Sequence, residues 1–218
     1  MGLLRAGIGA LSGVLSDQWR DYFHAESLEA DVLAVKAVKR MNKRFGGSKN
    51  VQDNVISNGS IVAVNGGQCM IIVDQGKVVE VSAEPGEFVY DTSTEPSIFY
   101  GELDMKSVSA VFGKVVERFA FGGQAPKDQR VYYINTKEIV GNKYGTPNAV
   151  PFRVVDQNVG LDVDISIRCF GEYSYRITNP ILFFGNVCGN VEDTFTRDRI
   201  EGQMKTELLT ALQPAFAK

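Results

Sequence analysis

Histidine, cysteine and long apolar runs are scarce in this chain, and each shortage excludes a class of function. The 218 residues include one histidine, His24, and three cysteines, Cys69, Cys169 and Cys188, without a CxxC pair. Such a set supports neither a transition-metal site nor a disulfide framework. It indicates a reducing compartment, so we expect a cytoplasmic protein. No apolar run reaches the ~20 residues that a membrane-spanning helix needs.

The motifs of common enzyme classes are also missing. The sequence has no G-x-S-x-G and no Walker lysine, and the glycines within residues 7–13 miss the dinucleotide-binding spacing. A lone His24 is more often an interfacial or capping residue than a general base. Asp162 and Asp164 alternate as the solvated side of a strand does. We therefore expect a protein that is not an enzyme and has no cofactor or metal.

The distribution of charge along the chain is more informative than its net charge. A formal net charge of −3 gives no overall attraction to nucleic acid. The stretch between Asp31 and Asp53 nevertheless holds bases without an acid, namely Lys36, Lys39, Arg40, Lys43, Arg44 and Lys49. Anionic lipid headgroups attract such a cluster by ~1 kcal/mol per base. The bases from Lys36 to Arg44 are therefore candidate headgroup contacts, although a solvated loop fits this pattern equally well.

An apolar stripe in the first 25 residues is the strongest pattern in the sequence. Apolar residues recur every three or four positions at Leu4, Ile8, Leu11, Leu15, Trp19 and Tyr22. This spacing predicts an N-terminal amphipathic helix over residues 1–25. Glycines at positions 2, 7, 9 and 13 each cost ~1 kcal/mol of helix propensity. We therefore expect the helix to form on contact with a surface.

Three surfaces fit this stripe: lipid, another subunit or the core of the same chain. Aromatic residues at the end of an apolar face are typical of a helix that lies in the membrane interface. On that hypothesis the lipid contacts are Leu3, Leu4, Ile8, Leu11, Leu15, Trp19, Tyr22 and Phe23. The alternative is a helix that packs on the domain or on a neighbouring subunit.

The middle of the chain is patterned as β-structure. A short β-branched run predicts a strand over residues 31–38. From residue 60, the runs SIVAV, QCMIIV, KVVEVS and GEFVYD are separated by turn residues, which predicts a β-meander. The pairs Asn65-Gly66 and Gln75-Gly76 supply the positive φ of tight hairpin turns. The run RVYYIN predicts a further strand.

The last third combines strands with one helix. Residues 161–170 alternate apolar and polar, which predicts a strand with one buried face, paired with the following EYSYRIT. Cys169 falls on the apolar face, where a thiol is usually inert. Asn190 is a candidate N-cap, followed by Glu192 and Asp193 in the first turn of a helix. We expect Pro214 to end that helix.

Three strings of this sequence together resemble a known family. They are SIVAVNGGQCMIIVDQGKVVEVSAEPGEFVYDT, LDVDISIRCFGEYSYRITNPILFF and RDRIEGQMKTELLTALQ. Their order is similar to the domain shared by stomatin, prohibitin, flotillin and HflK/C, called SPFH or band 7, and covers roughly residues 28–213. The strings EPGEFVYDTSTEPSIF and QRVYYINTKEIVGNKYGTP resemble its bacterial virion core protein-like branch. The phage-shock-associated SPFH protein of Bacillus belongs to that branch.

The resemblance implies an α+β fold: an SPFH domain with a curved, mostly antiparallel β-sheet and packed helices, here preceded by the N-terminal helix. We expect residues 26–218 to form that domain. Relatives in this branch typically continue into a helix-rich region and a zinc ribbon of paired cysteines. The resemblance therefore predicts a fragment or a naturally short form, with the end of the domain truncated.

The implied function is a non-enzymatic scaffold. Such a protein lies peripherally on the cytosolic face of the cell membrane, forms homo-oligomers and organises lipids or partner proteins. The resemblance also implies phage-shock or other membrane-stress proteins as partners. The alternative is a soluble oligomeric interaction protein whose N-terminal helix docks on another subunit.

Overall fold

The computed structural model describes residues 2–5, 21–40, 55–91, 98–99 and 128–216. The chain divides into two compact units. The first contains Met1–Lys137 and Ile177–Thr196, and the second contains Glu138–Arg176 and Arg197–Lys218. Within the described ranges the protein is strand-rich with few helices, in agreement with the mostly antiparallel β-structure that we predicted.

The elements are numbered in chain order. The strands are β1 (Gly2–Arg5), β2 (Tyr22–His24), β3 (Val32–Lys36), β4 (Val38–Arg40), β5 (Ile61–Val64), β6 (Gln68–Asp74), β7 (Lys77–Ser82), β8 (Gly86–Asp91), β9 (Ile98–Phe99), β10 (Gln129–Asn135), β11 (Ile139–Gly145), β12 (Val150–Asp156), β13 (Leu161–Ile167), β14 (Phe170–Tyr175) and β15 (Thr194–Thr196). The helices are α1 (Pro180–Phe183), which a π-helical turn over Phe184–Cys188 continues, and α2 (Asp198–Phe216).

The first unit is built from two sheets. One has five strands in the order β1-β8-β5-β2-β4, and the other has six in the order β15-β3-β10-β6-β7-β9. The chain passes from one sheet to the other at Ala37, between β3 and β4, where the Ala37 amide donates to the Val131 carbonyl at 2.8 Å. The predicted strand over residues 31–38 is thus confirmed, with a bend near its end.

The hydrophobic core of this unit contains residues from both sheets. Its buried side chains include Phe23, Val62, Met70, Ile72, Phe88, Tyr90, Val131 and Tyr133. The Tyr133 hydroxyl donates to the Ala63 carbonyl at 2.6 Å and lies 3.3 Å from the Phe23 carbonyl, so a buried donor is satisfied across the core. Strand β6 is buried at six consecutive positions, as expected for a continuous apolar run covered on both faces.

The predicted N-terminal helix is wrong at both of its ends. Gly2–Arg5 and Tyr22–His24 form strands, and β2 pairs with β4 on one side and β5 on the other. Two neighbouring strands satisfy the backbone of β2 and bury Phe23, and this tertiary pairing outweighs the weak helical tendency of a glycine-rich sequence. The residues between, 6–20, lie outside the described ranges.

The predicted meander is correct in its strands and wrong in its order. Of the four strands in the predicted meander, β5 to β8, only β6 and β7 pair with each other as consecutive strands. Their turn has positive φ at Gln75 and Gly76 as predicted. Strand β5 pairs with β8, so consecutive strands lie in different sheets. At the first turn the positive φ falls on Gly67 (77°) instead of Asn65-Gly66.

The second unit contains one long hairpin and α2. Strand β11 pairs with β14, and β12 pairs with β13, so the two ladders lie one after the other along the same two arms. The Thr146 amide donates to the Cys169 carbonyl at 2.9 Å between the ladders. The predicted pairing of residues 161–170 with the strand that follows is wrong, because β13 turns back on the strand that precedes it.

The predicted boundaries of the last helix also need correction. Residues 190–193 are not helical, β15 follows them, and α2 begins at Asp198 with Asp198 and Glu201 as its first-turn acids. The helix continues to Phe216, past Pro214. Asn179 caps α1, since its side chain accepts from the Leu182 amide at 3.0 Å.

Candidate functional site

The residues predicted to contact lipid fall in three places. Leu3 and Leu4 lie in β1, in register with Tyr90 and Val89 of β8. Tyr22 and Phe23 lie in β2. Ile8, Leu11, Leu15 and Trp19 lie outside the described residues. Strands β1 and β2 belong to the same five-stranded sheet.

The two aromatic residues in β2 are already in contact with the domain. Phe23 is only 4% exposed and packs in the core. Tyr22 is half-buried, and its hydroxyl donates to a carboxylate oxygen of Glu87 at 3.1 Å. Burial of the Phe23 ring leaves it no surface for a lipid contact.

The basic cluster is partly neutralised within the fold. The Lys39 ammonium lies 3.0 Å from a carboxylate oxygen of Asp21 and donates to the Val55 carbonyl at 3.3 Å. It also lies 5.5 Å from the centre of the Phe23 ring, and only 10% of the Lys39 side chain is exposed. Its charge is therefore committed within the protein. Arg40 is exposed, Lys36 is half-buried, and Lys43 and Arg44 lie outside the described residues.

A cavity of about 300 Å³ adjoins these bases. Its charged lining comprises Lys36, Lys39, Arg130, Glu192 and Asp193. Arg130 is paired with Asp128 at 3.0 Å. Because charges of both signs line it, the cavity lacks the single-sign field that concentrates an anionic ligand.

The residues weighed for chemistry are dispersed. His24 lies in β2, and its Nδ1 is buried with no hydrogen-bond partner among the residues that the structure describes. Burial raises the pKa of the Cys69 thiol far above its usual range and raises the pKa of Cys188 to about 11. A thiol with a raised pKa is a poor nucleophile. Within the described ranges, no group of three His, Cys, Asp or Glu side chains lies together as metal ligands do.

A buried polar network joins the two sheets of the first unit, and nothing in the sequence pattern indicated it. Gln129 at the start of β10 donates to the Tyr90 hydroxyl at 3.0 Å and to Asp74 at 3.3 Å, and accepts from the Ile56 amide at 3.1 Å. Burial raises the pKa of Tyr90 to about 12, against the opposing effect of the Gln129 hydrogen bond. The network satisfies polar groups between the sheets and has no feature of a ligand site.

The long hairpin presents a continuous face to α2 in the second unit. Half-buried residues recur at every second position from Ile167 to Tyr175, which is the period of one strand face. On the partner arm, the Tyr144 ring lies over Gly171, where a Cβ would approach its hydroxyl to 2.8 Å. Tyr144 and Tyr173 are 6.4 Å apart, and Tyr173 and Tyr175 are 6.3 Å apart.

Helix α2 lies along this part of the hairpin. At one end an Arg197 guanidinium nitrogen donates to the Val140 carbonyl at 3.3 Å. At the other, Leu209 and Leu212 line a cavity of about 280 Å³ together with residues 146–151. Five apolar residues of α2 are half-buried, namely Ile200, Met204, Leu208, Leu209 and Leu212. The helix thus contacts β11 and the adjoining end of β12.

The remainder of the same hairpin face is half-buried on β12 and mostly exposed on β13. We name it the tip face, and its residues are Val150, Phe152, Val154, Asp156, Leu161, Val163, Ile165 and Ile167. Leu161, Val163 and Ile165 are 43%, 42% and 41% exposed. The predicted burial of one face of this strand is therefore wrong within the described structure. Exposed apolar faces of this kind are typical of interaction sites.

The comparisons with known proteins give one family. Residues 48–217 match the SPFH domain-Band 7 family. The comparisons with curated proteins and with solved structures give no match. None of the helices that the structure describes is long and apolar enough to cross a membrane.

Proposed function

Because this chain belongs to the SPFH domain-Band 7 family, we propose that it is a non-enzymatic scaffold on the cytosolic face of the cell membrane. In this role it forms homo-oligomers and organises lipids or partner proteins during envelope stress. Its partners in that response are phage-shock or other membrane-stress proteins. The family match over residues 48–217 is the observation that carries the proposal, since membrane-associated scaffolds are the general role of the family.

The membrane contact is assigned to the N-terminal apolar residues Leu3, Leu4, Ile8, Leu11, Leu15 and Trp19. Phe23 is left out because it lies in the core, and Tyr22 contributes at most its exposed part. Four residues of this set are aliphatic or tryptophan side chains between positions 8 and 19, namely Ile8, Leu11, Leu15 and Trp19. This composition favours the interface between water and lipid.

Electrostatic attraction to headgroups is assigned to a smaller set than the sequence predicted. Lys39 is excluded because its ammonium is bound by Asp21 and the Val55 carbonyl. Lys36, Arg40, Lys43 and Arg44 remain. At ~1 kcal/mol per base, these contacts assist the apolar segment and do not replace it.

Co-sedimentation of the full chain with phosphatidylglycerol vesicles tests this proposal. We expect binding, and we expect Leu11→Asp to weaken it by about tenfold or more, because a carboxylate is costly to bury beside lipid. Ser16→Asp is the matched control, since it adds the same charge at a polar position of the same segment. Removal of the first 25 residues is unsuitable, because it also removes β2 and the core residue Phe23.

Equal pelleting of the unsubstituted chain, Leu11→Asp and Ser16→Asp would show that this segment is not the membrane contact. If the unsubstituted chain instead stays in the supernatant, the second candidate function applies, namely a soluble oligomeric interaction protein whose N-terminal segment docks on another subunit. Under it, Leu11→Asp changes the mass measured by light scattering in the absence of lipid.

A further inference from the structure

Two Asn-Gly pairs in this chain, at positions 58–59 and 65–66, have the residue types of a spontaneous deamidation site. In that reaction the main-chain nitrogen of the glycine attacks the side-chain carbonyl carbon of the asparagine. Glycine favours the attack because it has no Cβ beside the nitrogen and leaves the backbone free to rotate. Whether either pair reacts in the folded protein therefore depends on how the fold holds the glycine nitrogen.

The first pair lies in a turn that binds the attacking nitrogen. The Ser60 amide donates to the Ser57 carbonyl at 3.0 Å. Gly59 has a φ of 83°, as the third residue of a type II turn does. The Gly59 amide donates to the Tyr90 carbonyl of β8 at 2.7 Å. A hydrogen bond made by the neutral N–H opposes the loss of its proton, which the attack requires.

The second pair occupies a different position in a turn of the same type. The Gln68 amide donates to the Asn65 carbonyl at 3.2 Å, and Gly67 has a φ of 77°. Asn65 is therefore the first residue of this turn and Gly66 is the second. The amide of the second residue takes no part in the hydrogen bond that closes a turn.

The Gly66 nitrogen is accessible. Within the part of the chain that the structure describes, its amide has no hydrogen-bond acceptor. Asn65 and Gly66 are both exposed, and a Cβ built at Gly66 would meet no atom within 4 Å. Water and base thus reach the nitrogen of the second pair, whereas the nitrogen of the first pair is bound.

We propose that Asn65 is the site at which the folded protein deamidates. The Gly66 nitrogen gives up its proton and bonds to the Asn65 Cγ, the bond from Cγ to Nδ2 breaks, and ammonia leaves. The succinimide that remains is opened by water at one of its two carbonyl carbons. Opening at Cγ gives an aspartate, and opening at the main-chain carbonyl carbon gives an isoaspartate. The net change consumes one water, releases one ammonia and requires no oxidant or reductant.

A side-chain hydrogen bond restrains Asn65 without blocking the reaction. Its Nδ2 donates to the Ala25 carbonyl at 3.0 Å. This bond engages the leaving nitrogen and not the Cγ that is attacked, but it limits rotation of the side chain. We therefore expect Asn65 to react more slowly in the folded chain than in the unfolded chain, and still faster than the folded Asn58.

The modification removes a contact that holds the link between β2 and β3. Side-chain amides bind this link at two successive carbonyls, Asn65 at Ala25 and Gln68 at Glu26, the latter at 2.8 Å. A carboxylate at position 65 has no N–H to donate. The Ala25 carbonyl then loses its donor and faces a negative charge, which destabilises the fold. The proposal is independent of the membrane contact.

Peptide mapping by mass spectrometry tests the site. The full chain is incubated at mildly alkaline pH and digested in acid, where deamidation during preparation is slow. We expect acid to accumulate at Asn65, and Asn58 to react about tenfold more slowly because the Gly59 hydrogen bond must break first. In urea that unfolds the chain, the two asparagines should react at similar rates. Gly66→Ala should slow the reaction at Asn65 several-fold, since a Cβ fits there but crowds the nitrogen.

Three results would overturn the proposal. One is an equal rate at both asparagines of the folded chain, and another is a faster rate at Asn58. The third is an Asn65 that reacts in urea but stays an amide in the folded chain, because the turn would then protect it. Asn65→Asp reproduces one of the two products and should lower the melting temperature, while Gly66→Ala should leave it nearly unchanged. An unchanged melting temperature in Asn65→Asp would contradict the expected loosening of the link.

Discussion

Several polar side chains in this protein have ion-pair or hydrogen-bond partners that their positions in the sequence do not reveal. Lys39 belongs to a basic run, yet its ammonium is held by Asp21 at 3.0 Å and lies beside the Phe23 ring. Gln129 and Tyr90 are 39 positions apart and meet between the two sheets. Such contacts depend on which strands become neighbours, so a linear charge or polarity pattern does not reveal them.

The buried Tyr90 hydroxyl predicts a loss of stability in alkali. Its pKa is raised to about 12 in the folded protein, against a usual value near 10. Between these values the unfolded chain releases the phenol proton and the folded chain keeps it, so the unfolding free energy falls as pH rises. We expect Tyr90→Phe to reduce this pH slope by up to one proton per molecule.

Chemical denaturation at several pH values between 9 and 12 would measure that slope. Tyr22→Phe is the comparison, because Tyr22 is only half-buried and its hydrogen bond to Glu87 lies at the surface. An unchanged slope in Tyr90→Phe would contradict the assignment of the alkaline loss to this hydroxyl.

At the scale of elements, turns and bends decide which sheet each strand joins. The turn after β5 moves the chain from the five-stranded sheet to β6 of the six-stranded sheet. Gly67 in that turn has a φ of 77°, and its carbonyl accepts from the Thr136 amide at 3.0 Å. Glycine adopts this conformation without strain, while an L side chain does so at a cost.

We expect Gly67→Ala to lower the unfolding free energy by about 1–3 kcal/mol. Besides the positive φ, an added Cβ would lie 2.5 Å from the Lys137 Cγ. Gly66→Ala is the matched control, because Gly66 has open space around it and no positive φ. Equal denaturation midpoints for the two variants would show that the turn tolerates a side chain at position 67.

At the scale of the whole molecule, burial is divided unequally between the two units. Strand β6 is buried at six of its seven positions, whereas six of the seven residues of β13 are exposed. Amides in well-packed central strands exchange through rare openings, and those in exposed ladders exchange through frequent local ones.

Hydrogen exchange at low protein concentration should therefore protect β6 and β10 far longer than β12 and β13. Mass spectrometry of peptides from each strand would measure the difference. Equal protection of all four strands would contradict it.

The sequence by itself determined the family, the positions of most strands and the scarcity of catalytic residue types. Alternation and turn residues are local properties, so the strand runs from residue 60 to residue 91 and RVYYIN were predicted correctly. The family strings are also a property of the linear sequence, and the match over residues 48–217 confirms the resemblance to the SPFH domain.

Only the tertiary structure decided which strands pair, which faces are covered and which charges are already bound. The apolar stripe that ends at Tyr22 had the period of a helix, but two neighbouring strands offered this backbone its hydrogen bonds and gave the adjacent Phe23 a place in the core. The alternation of β13 indicated an apolar face. It did not indicate how much of that face α2 covers, because this depends on where α2, a helix distant in the sequence, ends. Pairing and cover are relations between distant segments, and a local pattern carries no information about them.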